Sequence, residues 1–164
     1  MPQNAAHTSR WAIAEVVFGS ALLGALVLHW LVPLSLPRGR FAFVFGLAGV
    51  SLIIAGVACV VLARRELGRY GQPTDPGRPT GTLVTTGVFS ISRNPLYLGA
   101  IGVLLGAGLA FNMPWLLVLL VPAAVACHYV LVAPEERYLA DRFGAQYRAY
   151  AAAVRRWFGR TRLP

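Results

Sequence analysis

The sequence contains no lysine, and only 13% of its 164 residues are charged. A soluble domain normally carries about 25% charged residues, so the scarcity argues against a water-exposed globular surface. The lack of lysine supports no chemistry of its own; it means that the net charge of +9 is carried by arginine. Cysteine is nearly absent too. Cys59 and Cys127 both fall in apolar segments, which excludes a disulfide framework and a paired metal motif. His29 and His128 stand alone in separate apolar runs, without carboxylate or cysteine partners at ligand spacing, so no metal site follows. The amino terminus has only Arg10 ahead of a long apolar segment, which predicts an uncleaved helix rather than a signal peptide. No internal repeat or low-complexity segment is present.

What is abundant is apolar. Hydrophobic residues make up 57% of the chain, and the mean hydropathy is +0.60. A helix needs about 20 apolar residues to cross a bilayer. Apolar runs at 12–32, 41–63, 96–111 and 115–132 predict an all-α integral membrane protein with four transmembrane helices, folded as one domain over 1–164. The third run is rather short. Asn112-Met113-Pro114 is a tight polar break that makes the last two runs a helical hairpin.

Basic charge often points to nucleic acid, but here it follows membrane topology. Arg64, Arg65, Arg69, Arg78 and Arg93 lie between the second and third runs, and Arg137, Arg142, Arg148, Arg155, Arg156, Arg160 and Arg162 follow the fourth. The first connection carries only Arg38 and Arg40, and the hairpin turn none. The positive-inside rule then places both termini and the long connection in the cytoplasm, with a bacterial inner membrane as the expected location. The partners implied are the lipid bilayer and no nucleic acid.

The polar residues form two blocks. The first, a cytoplasmic loop over 64–95, is crowded with glycine and proline, yet its "TLVTTGVFSI" core is apolar and β-branched. Long connections of this kind are either functional or disordered, and this composition predicts an ordered loop folded back on the helix ends. The second block is the cytoplasmic segment 133–164. Pro134 suits the first position of a helix with Glu135 and Glu136 in its first turn, and Gly144 is a plausible stop. Beyond it, Tyr147, Tyr150, Val154, Trp157 and Phe158 recur at helical spacing among arginines, which predicts a basic amphipathic helix on the cytoplasmic leaflet.

Three constellations carry chemistry. Gly99, Gly102, Gly106 and Gly108 include a small-xxx-small pair that permits close helix approach, within the bundle or between copies. At Arg93-Asn94-Pro95, proline opens a helix whose first amides favour an anion, and the arginine adds a planar fork suited to carboxylate or phosphate. Arg93 has three open roles: ligand contact, loop contact, or snorkelling to headgroups. Glu135 and Glu136 would be stabilised by the helix dipole whatever their function, but a carboxylate just past a membrane span also suits a ligand ammonium or a ribose hydroxyl. A zwitterionic ligand would satisfy both charges.

The stretch "TLVTTGVFSISRNPLYLG", followed after a helical hairpin by "PEERYLADRFGAQYRAY", resembles the isoprenylcysteine carboxyl methyltransferases, which belong with the membrane phospholipid methyltransferases. The resemblance covers about half the chain. It implies a methyltransferase that binds S-adenosylmethionine, releasing S-adenosylhomocysteine, in a cytoplasm-facing pocket completed by the loop and the C-terminal segment. Carried over by motif, the cofactor-binding residues would be Gly81, Thr82, Leu83, Val84, Phe89, Arg93, Asn94, Pro95, Leu96, Tyr97 and Glu135, with the adjacent Glu136 an equal candidate. No metal is implied, and the resemblance assigns no catalytic residue. The acceptor would be amphipathic or lipid-like.

The sequence departs from the prenylcysteine enzymes at four places. Gly81 stands where histidine is usual, Phe89 where tyrosine is usual, and Asn94 where those enzymes have the histidine of Arg-His-Pro. Asn-Pro is the form that resembles the phospholipid N-methyltransferases. Leu131 replaces an arginine that the eukaryotic enzymes associate with the substrate carboxylate, which argues against a prenylcysteine acceptor. The alternative reading is a non-catalytic lipid-binding or assembly protein on the same bundle.

Overall fold

The computed structural model describes residues 10–37, 39–72 and 80–161, with side chains from residue 14 onward. Arg38, Arg78 and Arg162, which contribute to the charge asymmetry, lie outside the described residues, as do positions 1–9 and 73–79. The architecture is helical: α1 (Arg10–Leu31), α2 (Arg40–Arg69), a 3₁₀ turn (Gly87–Ser90), α3 (Pro95–Ala110), α4 (Pro114–Ala126), α5 (Ala133–Phe143) and α6 (Ala145–Ala153). A π-helical turn, Cys127–Val132, joins α4 to α5 without a break.

Among the described residues, three helices are long and apolar enough to cross a membrane: α1, α2 and the continuous Pro114–Phe143. The sequence predicts four spans. The expected third, α3, is apolar but has only 16 residues, about 24 Å of helix against a hydrocarbon core of about 30 Å. Apolar side chains such as Leu23 and Val27 on α1, Phe43 and Ile54 on α2, and Val121 on α4 point outward, as lipid contact requires.

Glycine sets how the bundle packs. Gly49 and Gly56 on α2 face Gly106 and Gly99 on α3, so closely that a Cβ on Gly56 would sit 2.6 Å from the Gly99 carbonyl oxygen. A Cβ on Gly106 would sit 2.5 Å from the Gly49 oxygen. Backbones meet here with no side chains between them, the approach that small residues allow. Gly102 lies on the same seam, against the Gly56 Cα. The α3 glycines therefore pack within the chain. Gly108 faces Leu117 of α4 instead, and α4 in turn packs on α1.

The hairpin between α3 and α4 turns at Asn112, whose φ is 55°, a left-handed conformation that asparagine tolerates. Its Oδ1 accepts from the Leu36 N–H at 2.7 Å, and the Trp115 indole donates to the Val32 carbonyl at 2.8 Å. These bonds close one end of the bundle. Both polar blocks gather at the other end.

Three boundaries differ from those predicted. First, α2 continues six residues past Ala63 to Arg69, so the loop does not begin at residue 64. Arg64, Arg65 and Glu66 end the apolar run but are compatible with helix, and a membrane boundary is not a helix boundary. Second, α5 does not start afresh at Pro134. Proline lacks an N–H and clashes with the carbonyl four residues back. The π turn accommodates it, and the Ala133 N–H bonds five residues back to the His128 carbonyl. Third, the C-terminal amphipathic helix ends at Ala153. Val154 and Arg160 then pair as an isolated antiparallel bridge, and Arg155 N–H bonds the Gly159 carbonyl at 2.8 Å. Trp157 and Phe158 sit in this turn rather than on the helix. Trp157 packs against Tyr97 and Cys127, while Phe158 is exposed. Tyr147, Tyr150 and Val154 bury against Leu83 rather than lipid; an apolar stripe records burial but not what covers it.

The glycine seam predicts a contrast within one helix. Gly56→Ala should lower stability by about 1–3 kcal/mol through overpacking, whereas Gly46→Ala, where a Cβ meets nothing within 4 Å, should be neutral or slightly stabilising. Thermal unfolding of the two purified variants in one detergent measures the difference.

Candidate functional site

The loop, the helix ends and α6 enclose a cleft. The end of α2 contributes Leu67, and the residues after it contribute Gln72, Thr80, Thr82, Leu83, Val84 and Phe89. The start of α3 adds Arg93, Asn94, Leu96 and Tyr97. Helix α5 adds Glu135, Glu136 and Leu139, and α6 adds Tyr147 and Tyr150. The space amounts to about 870 Å³, counting its open mouth.

The loop is held over the cleft by named bonds. The Gln72 side-chain oxygen accepts from the Gly81 and Thr82 N–H groups at 2.7 and 3.2 Å. Leu83 is buried among Tyr147, Tyr150 and Val154, while Val84 and Phe89 bury against Ala63. The Tyr150 hydroxyl donates to the Phe89 carbonyl at 2.7 Å. From behind, the C-terminal turn supplies what a strand would. Gly159 N–H donates to the Ile91 carbonyl at 2.7 Å, and Arg93 N–H to the Arg155 carbonyl at 3.2 Å.

At the polar end of the cleft, Glu136 is buried and held on both oxygens. Arg156 approaches Oε2 through Nε at 2.9 Å and through its terminal nitrogen at 2.7 Å. Arg93 pairs with Oε1 at 3.3 Å, and the Asn94 amide reaches the same oxygen at 3.5 Å. Hydrogen bonding to Glu136 raises the Arg156 pKa above its usual value, although desolvation opposes this. Asn94 also donates to the Arg156 carbonyl at 3.2 Å.

The two adjacent acids therefore have different surroundings. Glu136 is compensated from within the chain by two guanidinium groups. Glu135 lies against the cleft, where it accepts from the Tyr97 hydroxyl at 3.1 Å. Arg93 turns inward rather than to lipid headgroups, with its side chain only 13% exposed. One terminal nitrogen meets Glu136 and the other donates to the Tyr147 hydroxyl at 3.5 Å. Its Nε is buried and has no hydrogen-bond partner among the described residues.

Of the residues named from the sequence, all but Gly81 and Pro95 line this cleft. Gly81 sits beside it, on Gln72. Pro95 is buried beneath it as the first residue of α3, where its carbonyl accepts from the Cys59 thiol at 3.2 Å. Sequence reasoning missed Leu67, Gln72, Thr80, Leu139, Tyr147 and Tyr150 as lining residues, and Arg156 as the partner of Glu136. The Tyr147–Tyr150 spacing was visible as a helical stripe, but nothing local showed what the stripe meets. Arg156 is 20 residues from Glu136 in sequence, with no motif linking them.

The family model for phospholipid methyltransferases matches residues 44–146, well over half of the chain. The chain belongs to the phospholipid methyltransferase family. No curated protein and no solved structure is significantly similar to it. The family segment takes in α2, the loop, α3, α4, α5 and the first residues of α6. Tyr147 and Tyr150, which line the cleft, and Arg156, which pairs with Glu136, lie beyond it. Leu131, at the position of the eukaryotic arginine, is fully buried with Tyr97, Cys127 and Val132.

Burial pushes the Tyr147 phenol up to about 12, with Glu136 adding to the shift and Arg93 opposing it. The folded protein thus holds this proton more tightly than the unfolded chain, whose phenol ionises near 10.0. The sign follows: the stabilising contribution is whole below pH 10 and is lost as pH rises toward 12. Thermal midpoints measured across that window should fall less steeply for Tyr147→Phe than for the parent protein.

Proposed function

We propose that this protein is an integral membrane methyltransferase that takes S-adenosylmethionine in the cleft and delivers its methyl group to an amphipathic or lipid-like acceptor. The observation that carries the reading is that Arg93 and Glu135 line the same cleft. A guanidinium on the cleft wall suits a ligand carboxylate. Glu135 supplies the complementary charge for an α-ammonium group. The α3 start favours the carboxylate further, since first-turn amides and the dipole attract anions.

The remaining lining suits a nucleoside. Leu67, Leu83, Val84, Phe89, Leu139 and Tyr150 give apolar and aromatic surface for a base, while Thr80, Thr82 and Gln72 offer groups that hydrogen-bond sugar hydroxyls. When bound, S-adenosylmethionine supplies an already activated methyl group on a sulfonium. The chain's task is alignment, which can account for a large share of rate acceleration. An aliphatic side chain such as Leu96 would give the sulfonium no strong electrostatic hold, so the charged reactant would not be favoured over the transition state. Glu136, neutralised by Arg93 and Arg156, keeps the site's charge balanced without attracting the sulfonium.

The short helix α3 serves as the fourth crossing, beside α2 and α4. Ten arginines, from Arg64 through Arg160, lie at the cleft end among the described residues, against Arg40 alone at the other. The positive-inside rule then opens the cleft to the cytoplasm and suits a bacterial inner membrane. The acceptor enters from the bilayer. It resembles an isoprenylcysteine-type substrate in being amphipathic, although buried Leu131 offers no charge to a prenylcysteine carboxylate.

Calorimetry with S-adenosylhomocysteine on the protein in nanodiscs tests the reading. Binding is expected, and Glu135→Ala should weaken it by about tenfold or more, roughly 1.4 kcal/mol, while Arg160→Ala leaves it within about twofold. Absence of binding by the parent protein would favour the non-catalytic lipid-binding alternative, and equal loss in both variants would overturn the site assignment.

A further inference from the structure

Glu66 is a buried carboxylate that the cleft does not use directly. It sits in the last turn of α2, 8% exposed, and does not line the cavity. Its place is unfavourable twice over. An acid near a helix C-terminus opposes the macrodipole, and a buried carboxylate loses hydration that only good partners offset. Arg69 pairs with Oε2 at 3.1 Å, but its side chain is 76% exposed, and such pairs contribute little.

The other partner comes from the loop. The Thr86 hydroxyl donates to Glu66 Oε1 at 2.5 Å, the short geometry of a charge-assisted bond. Since that proton is committed, the Tyr70 hydroxyl, 2.9 Å away, donates to Thr86. The next residue, Gly87, has φ 57° and passes so near that a Cβ would lie 2.9 Å from the Glu66 carboxyl carbon. Glycine meets both demands, the left-handed backbone and the close approach. Directly after it the 3₁₀ turn Gly87–Ser90 carries Phe89 into the cleft, while Val84, just before, buries with Phe89 on Ala63.

We propose that Glu66 is a positioning residue: through Thr86 and Gly87 it sets the height of the loop that places Val84 and Phe89 over the ligand. The far end of the same loop is fixed by Gln72, through Gly81 and Thr82. The terminal turn of α2 and the residues just after it thus hold both ends of the cleft's cover. A displacement of the Glu66–Thr86 contact moves Phe89 without touching any group that meets the ligand. This inference rests on the cofactor reading above for its consequence on binding, but not for its consequence on the loop.

The experiment therefore has two readouts on the full-length protein in nanodiscs. Thr86→Val removes the hydroxyl at nearly constant shape, Thr86→Ser restores it, and Glu66→Leu removes the acceptor. Hydrogen exchange of the 80–90 amides, without ligand, should quicken several-fold in Thr86→Val and Glu66→Leu and stay at the parent rate in Thr86→Ser. Calorimetry with S-adenosylhomocysteine should show weakening of about fivefold in each of the first two variants. The double variant should be no worse than either single one, because both remove one shared contact. Unchanged exchange in Thr86→Val overturns the proposal, as does additive loss in the double variant. If the parent protein fails to bind S-adenosylhomocysteine, the cofactor reading falls, and the exchange data alone still decide whether Glu66 holds the loop. Should Glu66→Leu fail to fold, the Val and Ser pair at the exposed Thr86 carries the test.

Discussion

The buried carboxylate of Glu136 joins three segments that are distant in sequence. Arg93 reaches it from the end of the loop, Asn94 from the cap of α3 and Arg156 from the C-terminal turn. A carboxylate taken out of water without partners would be prohibitive. With two guanidinium groups it becomes the point where three parts of the chain must agree in position. Breaking such a pair on one side costs about 3–5 kcal/mol, because the remaining charge stays buried. The consequence is specificity of arrangement: the C-terminal turn can dock only where Arg156 finds Glu136 and where its backbone finds Ile91 and Arg93.

That arrangement rests on a bundle whose distances are set by what is missing from it. On the α2–α3 seam, glycines let carbonyl and amide groups approach across the interface, which fixes the start of α3 relative to the end of α2. The cleft spans these two points. Its cover is tied to the end of α2, and its charged groups gather at the start of α3. The π turn before Ala133 has a comparable role on the opposite wall. An extra residue in a helical turn rotates everything after it, and the residues after it are Glu135 and Glu136.

Much of this was legible without coordinates. The apolar runs, the hairpin at Asn112 and the arginine asymmetry are local or compositional signals, so a linear reading finds them. The loop's apolar core also signalled burial, and Leu83, Val84 and Phe89 are buried. The choice between Glu135 and Glu136 was not legible. Consecutive helical residues point about 100° apart, so although both line the cleft, which partners each acid finds depends on the helix's rotation, set by the π turn before Ala133. The fate of the C-terminal segment was hidden for a related reason. A stripe of Tyr147, Tyr150 and Val154 fits lipid and protein surfaces equally well, and only the presence of Leu83 opposite decides.

The sequence by itself determined that this chain belongs in a membrane, that its charged residues gather at one end, and that the motifs of a methyltransferase family flank a helical hairpin. These follow from hydropathy, charge and short-range pattern, which are properties of consecutive residues. Only the tertiary structure decided that Arg93 turns inward, that Arg156 pairs with Glu136, and that Glu66 takes hold of Thr86. Each of those is a contact between residues 20 to 43 positions apart. Buried charges choose partners by proximity after the backbone has packed, and that choice is made in space rather than along the chain.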